Sequence, residues 1–156
     1  MTIRKGIRLS VILVALDQFI KLIIYHFAME KKRNLIGDFI DFSPVFNKNI
    51  SWLSAKTGLN IGLIPHIVFT IAVIIVFILL GIKYYDTYAD KKYMILAYFI
   101  TLAGIICSAI DRILWGTSLD YIGIKGFCVF DLKDLLVDAM YVLTIGIILN
   151  ERAHQK

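Results

Sequence analysis

GIICSAIDRILWGTSLDYIGIKGFCVFDLKDLLVD, residues 104–138, decides how the rest of the chain is read. Its five aspartates, Asp111, Asp120, Asp131, Asp134 and Asp138, lie between and within two segments otherwise apolar enough to sit in lipid. A charge at the bilayer centre costs about 3 kcal/mol or more, so carboxylates near membrane depth are functional candidates.

The surrounding composition fits that setting. Of 156 residues 59% are hydrophobic and the mean hydropathy is +0.77, against roughly 45–50% apolar content in a soluble domain. An integral membrane protein with a single domain over residues 1–156 is expected. The net charge of +5 does not point to nucleic acid, because Arg4, Lys5, Arg8, Lys31 to Arg33, Lys91 and Lys92 flank apolar segments, where anionic lipid headgroups lie. Cys107 and Cys128 form neither a disulfide framework nor a metal motif and read as small apolar fillers.

Four apolar runs predict spanning helices at about residues 8–28, 61–82, 93–113 and 132–150, each close to the ~20 residues that cross a hydrocarbon core. The first resembles a secretory signal at its start. Its apolar run continues past Asp17 and Lys21, however, and no small-residue cleavage site follows, so retention is expected. Asp17 and Lys21 stand four apart on one helical face, and a structural ion pair is the favoured reading. Between the first two spans, IGDFIDFSPVFN reads as a short exposed strand that Pro44 confines to an edge or ends. SWLSAKTG reads as a surface helix, with Trp52 at headgroup level and Gly58 closing it. Asn60 is the expected cap of the second span, Pro65 falls in its first turns, and His66 is expected to be interfacial rather than catalytic. The fold class is therefore an all-α integral membrane protein of four transmembrane helices, with a strand-containing cradle and a surface helix between the first and second. Lysine and arginine counts on the two sides are eight against eight, so charge gives no orientation.

Asp111 and Arg112 end the third span and Asp134 opens the fourth, so the intervening loop can bring Asp120 to Asp134 at one membrane face. Two carboxylates sharing a site do not both ionise readily; one becomes a proton donor beside an acceptor, a pair able to activate water against an amide carbonyl. The alternative is that Asp134 caps a helix and Asp111 pairs with Arg112. Spacing alone leaves both readings open. No HExxH or GxSxG motif offers a metal or a serine nucleophile, and neither cofactor nor metal is expected.

Asp17-Gln18 with Lys21, Asn47, Asp111-Arg112, Leu119-Asp120-Tyr121 and Phe130-Asp131-Leu132-Lys133-Asp134 together resemble the lipoprotein signal peptidases (signal peptidase II) across nearly the whole chain. The resemblance implies four spans with both termini cytoplasmic, a strand-rich cradle, and an aspartyl dyad of Asp120 and Asp134 near the outer face of a bacterial inner membrane. It makes Asp111 and Arg112 shapers of the site and Asn47 a substrate contact. The chain departs from the family pattern at Ser108 and Asp131, where the family has Asn, at Lys133, where it has Ala, and at Asn49, where it has Gly. Ser108 and Asp131 join the expected site residues, and Lys133 is near enough in sequence to compensate the extra acid at Asp131. Ser108 and Asp138, each one turn inward from Asp111 and Asp134, are expected to touch and join the third and fourth helices. The implied partners are lipid-modified lipoprotein precursors and membrane lipids, with the chain a monomer. Two rivals stand beside the protease: a paralogue that binds lipidated peptides without cutting them, and a small proton-coupled transporter subunit using Asp17, Lys21 and Asp138.

Overall fold

The computed structural model describes residues 1–47, 62–88 and 91–154. Four long helices and a small sheet account for most of them. Helix α1 (Ile3–Phe27) leads into the hairpin β1 (Arg33–Ile36) and β2 (Ile40–Asn47), and then come α2 (Leu63–Thr87) and α3 (Lys92–Ile110). A π-helical turn (Asp111–Trp115) continues α3, followed by β3 (Ser118–Ile124), β4 (Cys128–Phe130) and α4 (Leu132–His154). The surface helix expected over SWLSAKTG, together with Asn49 and Asn60, lies outside the described residues. Helix α2 starts after Gly62, which takes a positive φ of 70°.

Helix α3 is the centre of the bundle. It buries Met94, Ile95, Ala97, Tyr98, Phe99, Thr101, Ala103, Gly104, Cys107 and Ala109, a set that runs round the helix because α1, α2 and α4 all pack on it. Small residues permit the close approaches, as expected where helices associate by backbone contact rather than by exclusion of water. A Cβ on Gly6 would run into the ring of Phe99, and next to that contact Ser10 Oγ donates to the Phe99 carbonyl at 2.7 Å. A Cβ on Gly104 would lie 2.8 Å from both the Lys133 carbonyl oxygen and the Val137 amide nitrogen, so glycine sets the distance between α3 and α4. Helix α1 turns one face inward, through Gly6, Ser10, Asp17, Lys21 and Ile24. These recur at the helical period, which carries Asp17 and Lys21 into the bundle.

Among the described residues, Leu63–Thr87 and Lys92–Trp115 are long and apolar enough to cross a membrane, with hydropathies of 2.9 and 2.1 over their best windows. They differ in burial: the first shows nearly all of its apolar surface to the outside, whereas the second is mostly enclosed.

The sheet has the order β1-β2-β3-β4, antiparallel throughout. Two corrections to the sequence reading follow. First, strand structure is not confined to the connection after α1: half of the sheet comes from the loop between α3 and α4, so the all-α description gives way to a helical protein carrying a four-stranded sheet. Second, β2 is an inner strand although it contains Pro44. The β1 pairing covers only Ile40 to Phe42, and the β3 register shifts between Phe42 and Val45. Pro44 therefore sits at an irregularity, where its missing amide costs no ladder bond. Leu119 and Tyr121 of β3 pack with Ile24 of α1, which seats the sheet on the end of that helix.

Candidate active site

Strand alternation places Ser118 and Asp120 on the same face of β3. Ser118 Oγ donates to Asp120 Oδ1 at 2.7 Å. Across the β2–β3 pairing, where Asn47 stands opposite Ser118, Asn47 Nδ2 donates to Asp120 Oδ2 at 2.8 Å. The Asn47 carbonyl in turn accepts from Thr117 Oγ1 at 2.8 Å and Arg112 Nη1 at 3.3 Å.

Asp131 and Asp134 hold the start of α4 reciprocally. The Asp131 amide donates to Asp134 Oδ2 at 3.1 Å, and the Asp134 amide donates to Asp131 Oδ1 at 3.3 Å. This is a capping box built from two aspartates, which satisfies two amides that the helix leaves unpaired and fixes both carboxylates in place. The sequence alternative of a helix-capping Asp134 is thus realised, and it brings Asp134 to the other acids rather than away from them. Asp120, Asp131 and Asp134 each present an oxygen within 4.8 Å of the others. Asp120 and Asp131 are buried, whereas the Asp134 side chain is 46% exposed.

Two lysines sit among these acids. Lys21 Nζ lies 2.8 Å from Asp17, 2.7 Å from Asp111 and 2.7 Å from Asp131. Lys133 Nζ lies 2.7 Å from Asp131, 3.3 Å from Asp120, 3.6 Å from Asp111 and 3.7 Å from Asp134. Asp111 and Asp131 touch both ammonium groups, so five carboxylates and two lysines form one network. Gln18 extends it, donating to Asp111 Oδ1 at 2.9 Å and to Asp17 Oδ2 at 3.1 Å and accepting from Trp115 Nε1 at 3.3 Å. Burial pushes the Asp131 carboxyl up, but the ammonium groups of Lys133 and Lys21 outweigh it and hold Asp131 below the usual carboxylate range. Three carboxylates at this spacing could surround a metal ion, yet Lys133 already brings a cation of the chain's own into contact range of all three.

A cavity of about 310 Å³ opens beside Asp134, lined by Ser108, Lys133, Asp134, Val137 and Asp138. Ser108 and Asp138 face this space together without a hydrogen bond between them; the close contact of α3 with α4 is made at Gly104 instead.

The sequence model of the signal peptidase (SPase) II family matches residues 9–150. The chain belongs to the signal peptidase II family. Membership makes it a peptidase of an aspartic-type family and supports a role in lipoprotein processing. No curated protein matches the chain. Two solved structures of bacterial membrane enzymes share its fold. One is 22% identical, with a TM-score of 0.76 over 99% of this chain and 93% of its own. The other is 24% identical, with a TM-score of 0.72 over 94% of each.

Within this signal peptidase II fold, Asp120, Asp134, Asn47, Asp111, Arg112 and Asp131 converge at one end of the bundle, with Asp17 and Lys21 directly beneath. Ser108 lines the cavity beside Asp134. Sequence reading missed Ser118 and Thr117. The available signal was their place at the start of a strand: SLDYIGI followed by the β-rich CVF reads as a hairpin, but burial of both faces of β3 hides the alternation that marks strands.

Proposed function

We propose that this chain is an aspartic endopeptidase of the bacterial inner membrane that removes signal peptides from lipid-modified lipoprotein precursors. The observation that carries the reading is the approach of Asp120 and Asp134 to within 4.8 Å, in a chain of the signal peptidase II family. One carboxylate takes a proton from a water as its oxygen bonds to the scissile carbonyl carbon. The other, protonated, gives its proton to the amide nitrogen as the carbon–nitrogen bond breaks. Asp120, buried and held by Asn47 and Ser118, is suited to the base; Asp134, half exposed beside the cavity, is suited to meet the leaving group. Asn47, Asp111 and Arg112 fix the geometry, while Asp17 and Lys21 form the ion pair beneath it.

In this reading α1, α2, α3 and α4 each cross the bilayer, as one membrane domain over residues 1–156. Both termini are cytoplasmic, the site lies near the outer face, and the chain acts as a monomer. The substrate's lipid lies against the helices.

The test is cleavage of a diacylglyceryl-modified precursor by the wild type and by Asp120→Asn and Asp134→Asn variants. Each variant should lose about 10²- to 10⁴-fold in rate, the range of general acid–base catalysis. Full activity in either would remove the dyad assignment. Precursor binding by the wild type with no cleavage at any pH would replace the protease by a lipoprotein-binding protein.

A further inference from the structure

Two carboxylates packed this closely repel unless a proton or another cation lies between them. Here the cation is part of the chain. An ammonium has three N–H donors, and Lys133 directs its three to Asp131 Oδ2 at 2.7 Å, Ser118 Oγ at 2.7 Å and Asp120 Oδ1 at 3.3 Å. Asp134 Oδ1, at 3.7 Å, is left with the charge alone. We propose that Lys133 takes the place of the proton that Asp120 and Asp134 would otherwise share, so that Asp134 carries no proton at neutral pH and acquires one only on the acid side of neutrality. The functional consequence rests on the proposed protease reading; the protonation state does not.

The surroundings hold Lys133 in that role. Asp131 anchors the ammonium and is itself held by Lys21 of α1. From the π-helical turn, Asp111 lies 3.6 Å from Lys133 and is likewise neutralised by Lys21, whose remaining contact is Asp17. Arg112 is within electrostatic reach of Asp120 and Asp111, and His66 of α2 lies toward Arg112. On α4 itself, Asp138 looks into the same cavity as Lys133. The nearby neutral groups are Tyr121 and Cys128 on the sheet and Cys107 on α3. Among the described residues, Lys133 is a cation in contact range of both Asp120 and Asp134. With the third ammonium donor on Asp120, the proton acceptor left over is Asp134, which also faces the cavity.

Lys133 is on this account a positioning residue whose effect is electrostatic. The experiment is carboxyl infrared absorption of the purified protein at pH 7, for the wild type, Lys133→Met, Lys133→Arg, and each with Asp134→Asn added. The wild type and Lys133→Arg should show no protonated carboxyl that Asp134→Asn abolishes, and Lys133→Met should gain one. If Lys133→Met does not fold, Asp131→Asn/Lys133→Met removes one acid with the base and should show the same gain, smaller because an anion has also gone. An Asp134-dependent protonated band already present in the wild type, or no gain in the variant that folds, would overturn the inference. In precursor cleavage, the alkaline limb for Lys133→Met should extend upward by about one pH unit or more. A limb that stays put while the band appears would overturn the functional consequence. Absence of cleavage in every protein, with the infrared pattern intact, would instead remove the protease reading and leave the inference standing.

Discussion

Asn47 Nδ2 donates to Asp120 Oδ2 at 2.8 Å from the neighbouring strand, so the carboxylate assigned as base is held by the sheet on one oxygen while Lys133 of α4 reaches the other. The same residue's carbonyl is fixed by Thr117 and Arg112, which leaves the amide little freedom to turn. Asn47→Ala should therefore lower kcat for precursor cleavage by about 10-fold or more, since a hydrogen bond to a charged group contributes about 1.5–3 kcal/mol. Its melting temperature should fall only slightly, because the strand pairing is made by backbone. A kcat within twofold of wild type would show that Asp120 does not depend on this donor.

How much of that arrangement could be read beforehand differs from residue to residue. The helices were legible because long apolar runs survive any packing. The Asp17–Lys21 spacing was legible because a helix puts positions four apart on one face. The contact of Asp120 with Asn47 was not, because it depends on the register of β2 with β3, and that register is set by pairing between segments 73 positions apart. The place of Pro44 on an inner strand is hidden from the sequence for the same reason: its tolerance depends on which neighbour is missing at that level of the sheet. Spacing alone makes Lys133 a partner for Asp131, but its simultaneous reach to Asp120 and Asp134 needs the capping box and the strand together.

Gly104 sets the separation of the helices that carry the rest of the site. A Cβ there meets backbone atoms of Lys133 and Val137 at 2.8 Å, and backbone cannot swing aside as a side chain can. Gly104→Ala should destabilise the protein by about 1–3 kcal/mol, the usual cost of overpacking. It should also lower kcat/KM, because the start of α4 carries Lys133 and Asp134. Thermal unfolding in detergent and precursor cleavage measure the two effects. An alanine variant with unchanged melting would mean that α3 and α4 can separate freely.

Asp131 links the site to pH. Its carboxyl is held below the usual range despite burial, by Lys133 and Lys21. A depressed folded-state pKa means that the stabilisation is fully present above the unfolded value, about 3.9, and is lost as pH falls through the folded value. The melting temperature of the wild type should therefore exceed that of Asp131→Asn most clearly at neutral pH, where the variant leaves two lysines short of a partner. The gap should close below about pH 4. The asparagine keeps an acceptor for the Asp134 amide, so the comparison isolates the charge. A gap that is constant from pH 7 to pH 3 would contradict the ion-pair account.

The cavity beside Asp134 offers the most direct check on where substrate enters. Ser108 lies on α3 and Val137 and Asp138 on α4, so their side chains can be enlarged without touching Asp120 or its strand partners. If the peptide near the scissile bond occupies this space, Ser108→Leu should raise KM about 10-fold, since lost contacts in a pocket are worth about 1–3 kcal/mol. The kcat at saturation should change much less, because the carboxylates stay in place. Asp138→Asn conserves shape and removes only charge; a KM shift with this variant as well would mean that the acid itself meets the substrate. Both should melt near the wild type, as neither residue makes a hydrogen bond that the fold depends on. Steady-state cleavage of a diacylglyceryl-modified precursor gives the two constants separately. An unchanged KM for Ser108→Leu would move the peptide to another approach to Asp134, because a leucine at that position fills part of the 310 Å³ available.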